Sequence, residues 1–245
     1  MSNRKLVVFF ILFLLLFTVA KLPVSLVAER LTLPANIAYQ GLAGTMWQGQ
    51  VKQLQFDDWL VRDVRWQFAP GKLLLGQAAF DVTFGKARDS QQLSGKGVLA
   101  YGVSGFDVHG MTIRAPANSV RSMLPIPVGE LSGRVIANVA SYVKGDTLCR
   151  ELAGELTWTK AEVDFGGAIP LGAISSELSC VEQNVIASFD GENLLGLEGQ
   201  AKIQSPQQYS FDGFLKPDAE LPTAVHDGLR MFGKADSKGK YRIKL

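Results

Sequence analysis

The sequence predicts an all-β, mostly antiparallel fold, a long curved and bent sheet with one or two short helices, behind one N-terminal transmembrane helix. Three observations carry that expectation. After Pro23, apolar and polar side chains alternate over many short stretches, the period of a strand with one face covered. Glycine is frequent, 25 of 245 residues, yet scattered, as in a sheet with many turns and bulges. The one long uninterrupted apolar run, Leu6 to Ala20, stands at the start. Hydrophobic residues make up 47% of the chain, enough to build a core. Of 25 basic residues, Arg4 and Lys5 precede the apolar run, which leaves the body balanced against 23 acidic ones. A nucleic-acid binder normally carries a basic excess, so none is expected as a partner.

The leading run sets the compartment. From Leu6 to Leu22 a helix would span about 25 Å, against a hydrocarbon core of ~30 Å. Arg4, Lys5 and Lys21 flank it and can snorkel to the interfaces. The positive-inside bias keeps residues 1–5 in the cytoplasm, with 6–22 as a single-pass anchor and 23–245 as an exported β domain. The rival reading is a signal peptide cleaved after Thr18-Val19-Ala20. Both readings export the body.

The strands follow in order. Val64, Trp66 and Phe68 alternate with Arg65 and Gln67; Ala78, Phe80, Val82 and Phe84 alternate with Gln77, Asp81 and Thr83. Leu156 and Trp158 repeat the pattern, as do Tyr209, Phe211, Gly213 and Leu215, and finally Tyr241, Ile243 and Leu245. One apolar and one wet face is the mark of an antiparallel sheet. Glycines recur in an apolar–x–Gly–x rhyme at Gly95, Gly133, Gly154, Gly199 and Gly213. Their uneven spacing excludes a solenoid and fits bulges or close strand approach. A helix is expected over Pro222–Phe232, with Val225, Leu229 and Phe232 on one stripe and Gly233 as its stop, and one or two turns over Asn118–Leu124. Pro125-Ile126-Pro127 reads as a crossover between halves 34–117 and 128–245.

Cys149 and Cys180 are the only cysteines. An even count in an exported segment predicts a disulfide, and their separation excludes Cys-x-x-Cys redox chemistry. Two histidines and two cysteines, scattered, make no zinc-finger-type site, so no metal and no cofactor is expected. No G-x-S-x-G elbow and no phosphate-binding G-x-x-x-x-G-K-[ST] loop occurs, and Asp57-Asp58 reads as a turn. No catalytic residue is assigned. His109 and His226 read as ordinary strand and helix residues, and the basic C-terminus, Lys234 to Lys244, as a solvated edge.

Several motifs are similar to those of the type II secretion system protein N family of Gram-negative bacteria. Gly44-Thr45-Met46-Trp47-Gln48-Gly49 resembles its G-T-x-W-x-G signature, with Met46 where a smaller aliphatic is usual. Trp66-Gln67-Phe68-Ala69-Pro70 resembles its W-x-[apolar]-x-P stretch, and Gly154-Glu155-Leu156-Thr157-Trp158 its G-x-L-x-W. Gly213-Phe214-Leu215-Lys216-Pro217 matches in position and order. The resemblance implies a non-enzymatic inner-membrane accessory or scaffold component of the machine that exports folded proteins across the outer membrane. Its implied partners are other secretion-machine subunits. The alternative, from fold analogy, is a β-groove that binds or transfers lipid, lined by Trp66, Phe80, Val82 and Phe84. The bottom-up reading of the tryptophans is packing, with the Trp47 indole laid across bare backbone at Gly44 and Gly49 or filling a sheet corner.

Overall fold

The computed structural model describes residues 3–30, 34, 36–57, 59–103, 105–123, 129–164, 167–205, 208–230 and 233–244. Helix α1 (Asn3–Ala20) leads through a short α2 (Val24–Ala28) into the strands. These are β1 (Ile37–Gln40), β2 (Ala43–Gly44), β3 (Gln48–Phe56), β4 (Trp59–Phe68), β5 (Gln77–Phe84), β6 (Ser94–Gly102) and β7 (Gly105–Pro116). They continue as β8 (Glu130–Lys144), β9 (Cys149–Asp164), β10 (Ala168–Val181), β11 (Asn184–Asp190), β12 (Glu198–Ser205), β13 (Gln208–Leu215) and β14 (Tyr241–Lys244). Helix α3 (Thr223–Leu229) and two 3-10 turns, Pro70–Leu75 and Ala117–Met123, complete the described elements.

All the strands belong to one 14-stranded antiparallel sheet, and from β3 to β14 each pairs with the next in sequence. The strands that alternation predicts are there. β4, for example, half-buries Val64, Trp66 and Phe68 and exposes Arg65 and Gln67. The register gathers polar side chains into one row across twelve strands, one from each: Gln50, Arg65, Thr83, Lys96, Thr112, Asn138, Glu155, Glu177, Ser188, Gln200, Asp212 and Lys244. On the opposite face, Phe68, Phe80, Leu99, Val108, Tyr142 and Leu152 line up across six strands, each half-buried. Alternation fails at Ala79, which is wholly buried on the face expected to be wet, opposite buried Ala100. There the Ala69 amide donates to the Ala79 carbonyl as the chain leaves β4 and returns along β5.

The rhyming glycines mark close strand approaches. Gly199, at φ +143°, faces Gly213, and a Cβ on Gly199 would lie 2.5 Å from the Gly213 Cα. A Cβ on Gly133 would lie 2.3 Å from the Lys160 carbonyl, where the β8–β9 register shifts. Such shifts bend and retwist a sheet.

The main buried cluster sits on β8–β10: Ala117, Leu131, Ala161, Val163, Leu171, Ile174 and Leu221, with Trp158, Leu194, Leu197 and Val225 against it. Thus the 194–197 loop and α3 close over one end of the long strands. Cys149 and Cys180 are joined by a disulfide with Cα atoms 6.1 Å apart, tying the start of β9 to the end of its neighbour β10.

Three expectations about helices need adjustment. α1 ends at Ala20, not Leu22, and among the described residues no helix is long and apolar enough to cross a membrane. The helix stops because the Leu22 carbonyl is taken by the Met46 amide and Pro23 bridges Thr45. The helix expected over Pro222–Phe232 is shorter, Thr223–Leu229, with Pro222 as its N-cap. Gly228 inside it weakens its last turn, and Gly233 donates to Arg230 beyond its end. Pro125-Ile126-Pro127, Asp58, Phe232 and Leu245 lie outside the described residues; Asp57 is in the expected turn, at φ +50°.

Candidate functional site: the junction of helix and sheet

The Gly44–Gly49 segment forms a hairpin between β2 and β3, and its residues have separate tasks. Thr45 builds the turn: its hydroxyl accepts from the amides of Trp47 at 3.3 Å and Gln48 at 3.2 Å. Its own amide donates to the Gln48 carbonyl at 2.8 Å. Gly44, at φ +102°, allows the tight approach, since a Cβ there would meet the Gln48 carbonyl at 2.5 Å. The two tryptophans then tie this turn to its neighbours, Trp66 to β4 and Trp47 to α1. Trp66 on β4 donates its indole N–H to the Met46 carbonyl at 3.1 Å. Trp47 donates its own to the Val19 carbonyl, in the last turn of α1, at 2.9 Å.

The indole over bare backbone is therefore that of Trp66, not Trp47. A Cβ on Gly49 would fall 2.3 Å from Trp66 Cζ2. Trp47 instead fills the corner between helix and sheet, its ring edge-on to Phe68 with centroids 4.9 Å apart, and Phe68 in turn meets Phe80 at 5.3 Å. The Phe68 amide donates to the Trp47 carbonyl at 2.6 Å. Backbone and side chains together make one cluster out of α1, the β2–β3 hairpin, β4 and β5. An open recess of about 670 Å³ lies beside it, over Gly44, Gly49, Arg65, Asp81 and Thr83.

The other motif residues lie elsewhere. Pro70 opens the Pro70–Leu75 turn, where its missing N–H costs nothing. Trp158 packs on the buried cluster and donates to the Ser132 carbonyl at 2.9 Å. Gly154 lets β9 approach β8, where a Cβ would lie 2.7 Å from the Asn138 carbonyl. Gly213 does the same for β12, and Pro217 sits between two amides, Lys216 and Asp218, that donate to Leu195 and Leu194. Within the basic C-terminus, Lys240 pairs with Glu198 and Arg242 with Asp212, while Lys234, Lys238 and Lys244 are exposed as expected of a solvated edge. Asp236 turns this segment, and the amides of Lys240 and Lys238 hold its carboxyl below the usual range.

Sequence reasoning singled out Trp47, Trp66, Gly44 and Gly49 but missed the backbone groups that hold the junction together: the carbonyl of Val19, and the carbonyl and amide of Met46. A backbone group leaves no trace in side-chain identity. Thr45-x-x-Gln48 did carry a readable signal, a hydroxyl three residues ahead of an amide it can hold.

Comparison with known proteins gives a consistent result. The family model described as "Type II secretion system (T2SS), protein N" matches residues 35–244. A protein of Aeromonas hydrophila named type II secretion system protein N is 31% identical over 93% of this chain and 91% of its own length. One of the same name from Vibrio cholerae serotype O1 is 30% identical, covering 91% and 89%. Another from Pectobacterium carotovorum is 24% identical, covering 84% and 82%. No solved structure matches.

Proposed function

Because the chain belongs to the type II secretion system protein N family, we propose that this secretion component is a non-enzymatic scaffold held at the inner membrane by its leading helix. The observation that carries the reading is the junction. α1 turns Leu and Phe side chains outward all round, from Leu6 to Phe17 more than half exposed, and Trp47 grips its final turn. A helix apolar on every side asks for a lipid or protein surround. α1 by itself falls short of a full span; the proposal has Arg4, Lys5 and Lys21 snorkel to the two interfaces to make up the difference, which puts the N-terminus in the cytoplasm and residues 23–245 in the periplasm. The disulfide suits that oxidising side. Among the described residues the outer edges of β1 and β14 pair with no further strand, and there a neighbouring subunit would add one.

Deleting the chain from a secreting bacterium is expected to leave exported substrates folded in the periplasm, with passage across the inner membrane intact. Normal release to the medium would refute the reading. A second reading, lipid binding, draws support from the half-buried apolar row of Phe68, Phe80, Leu99, Val108, Tyr142 and Leu152. Mass spectrometry of residues 23–245, purified without α1, decides it by the presence or absence of bound lipid.

A further inference from the structure

We propose that the body does not hang free below its anchor: one corner of the sheet, next to the end of α1, dips into the surface of the same bilayer. The inference rests on the anchored reading above and extends it to a second lipid contact. Outside α1, the four most exposed large hydrophobics among the described residues are Val103 at 101%, Leu74 at 91%, Leu75 at 71% and Tyr101 at 68%. All four lie at this corner, with Leu73 and Phe106 beside them.

The connection to α1 is a chain of contacts. The Trp47 indole holds the Val19 carbonyl and its ring meets Phe68. Two residues after Phe68, Pro70 opens the 3-10 turn that carries Leu73, Leu74 and Leu75. That turn ends at Gly76, and the next residue, Gln77, pairs with Gly102, immediately before Val103. The turn and the β6–β7 hairpin therefore project from the same end of the sheet as the helix terminus.

The chemistry selects a bilayer surface over water. Residues 68–79 and 101–106 contain no acidic side chain, and Lys72 is their one cation. Leucines beside a lysine and aromatic rings are the composition of an interfacial segment, where the ammonium meets headgroups and the rings sit at the boundary. None of the residues of the leucine turn is buried against the protein.

The test places a spin label on the full chain, reconstituted in vesicles of phosphatidylethanolamine and phosphatidylglycerol. Both native cysteines are bonded, so Leu74→Cys, Val103→Cys, Leu12→Cys and Gln91→Cys each offer one thiol. Collisions with oxygen, which concentrates in lipid, are compared with those of a water-soluble nickel complex. The labels at 74 and 103 are expected to show an oxygen-to-nickel ratio several-fold above that at Gln91, which lies in the β5–β6 connection at the opposite end. If 74 and 103 match 91 while 12 reports lipid, the corner contact is wrong and the anchor stands; the patch then faces a protein. If 12 also reports water, the anchored reading falls, and the corner contact with it.

Discussion

At position 49 a hydrogen atom decides the packing of an indole. Gly49→Ala puts a methyl 2.3 Å from Trp66 Cζ2, and the ring can yield only by releasing the Met46 carbonyl. Overpacking of this kind costs about 1–3 kcal/mol; urea unfolding should show that loss, and an unchanged midpoint would contradict the clamp. Asp236 is a residue-scale pH sensor of a different kind. Its pKa lies below the ordinary value because the Lys240 and Lys238 amides bond its charged form. Its contribution is thus complete above the unfolded carboxylate's pKa and disappears as pH falls through the lower, folded one. Proton resonances of those two amides should move together in that acid window, and Asp236→Asn should abolish the movement. Such local roles are partly legible in sequence: Gly and Thr in a turn announce themselves. Trp47 is not, because its partner stands 28 residues away and offers a carbonyl.

Among elements, β4, β5 and β13, whose apolar residues alternate over Val64–Phe68, Ala78–Phe84 and Tyr209–Leu215 (Ala79 and Phe214 apart), could be read from residues alone. The full lengths of β8 and β10 could not. Within β10, Ser176 stands at an apolar position of the alternation and is nevertheless buried, opposite Leu156 of β9. Gly110 and Lys160, both at positive φ, shift the side-chain phase within β7 and β9, so alternation read across them comes out wrong. The β9–β10 hairpin also carries the disulfide across a separation of 31 residues. Replacing both cysteines by serine should lower stability by about 3–4 kcal/mol in the chain-entropy model. Equilibrium denaturation checks it; equal midpoints for the native and doubly substituted chains would show that the bridge constrains little.

For the whole molecule, a meander means that a strand touches chiefly its two sequence neighbours. Stability in such an array accumulates locally. The buried cluster, the disulfide and the longest strands coincide on β8–β10. Hydrogen exchange should therefore be slowest there and quicken toward β1 and β14. Uniform protection would reveal a cooperativity that the topology does not provide. The overall class was legible because period-two alternation survives at any length. Which strand ends attract the covering loop and α3 was not, since that depends on Leu194, Leu197 and Val225 meeting strands distant in sequence.

The polar row has one more property. At about 4.8 Å per strand it runs for some 50 Å, and up to its last strand its formal charge is ordered: cationic at Arg65 and Lys96, then anionic at Glu155, Glu177 and Asp212, with Lys244 closing the row. A surface graded in this way has a head and a tail, so a stiff, charged rod laid along it would fit in one direction and be repelled in the other.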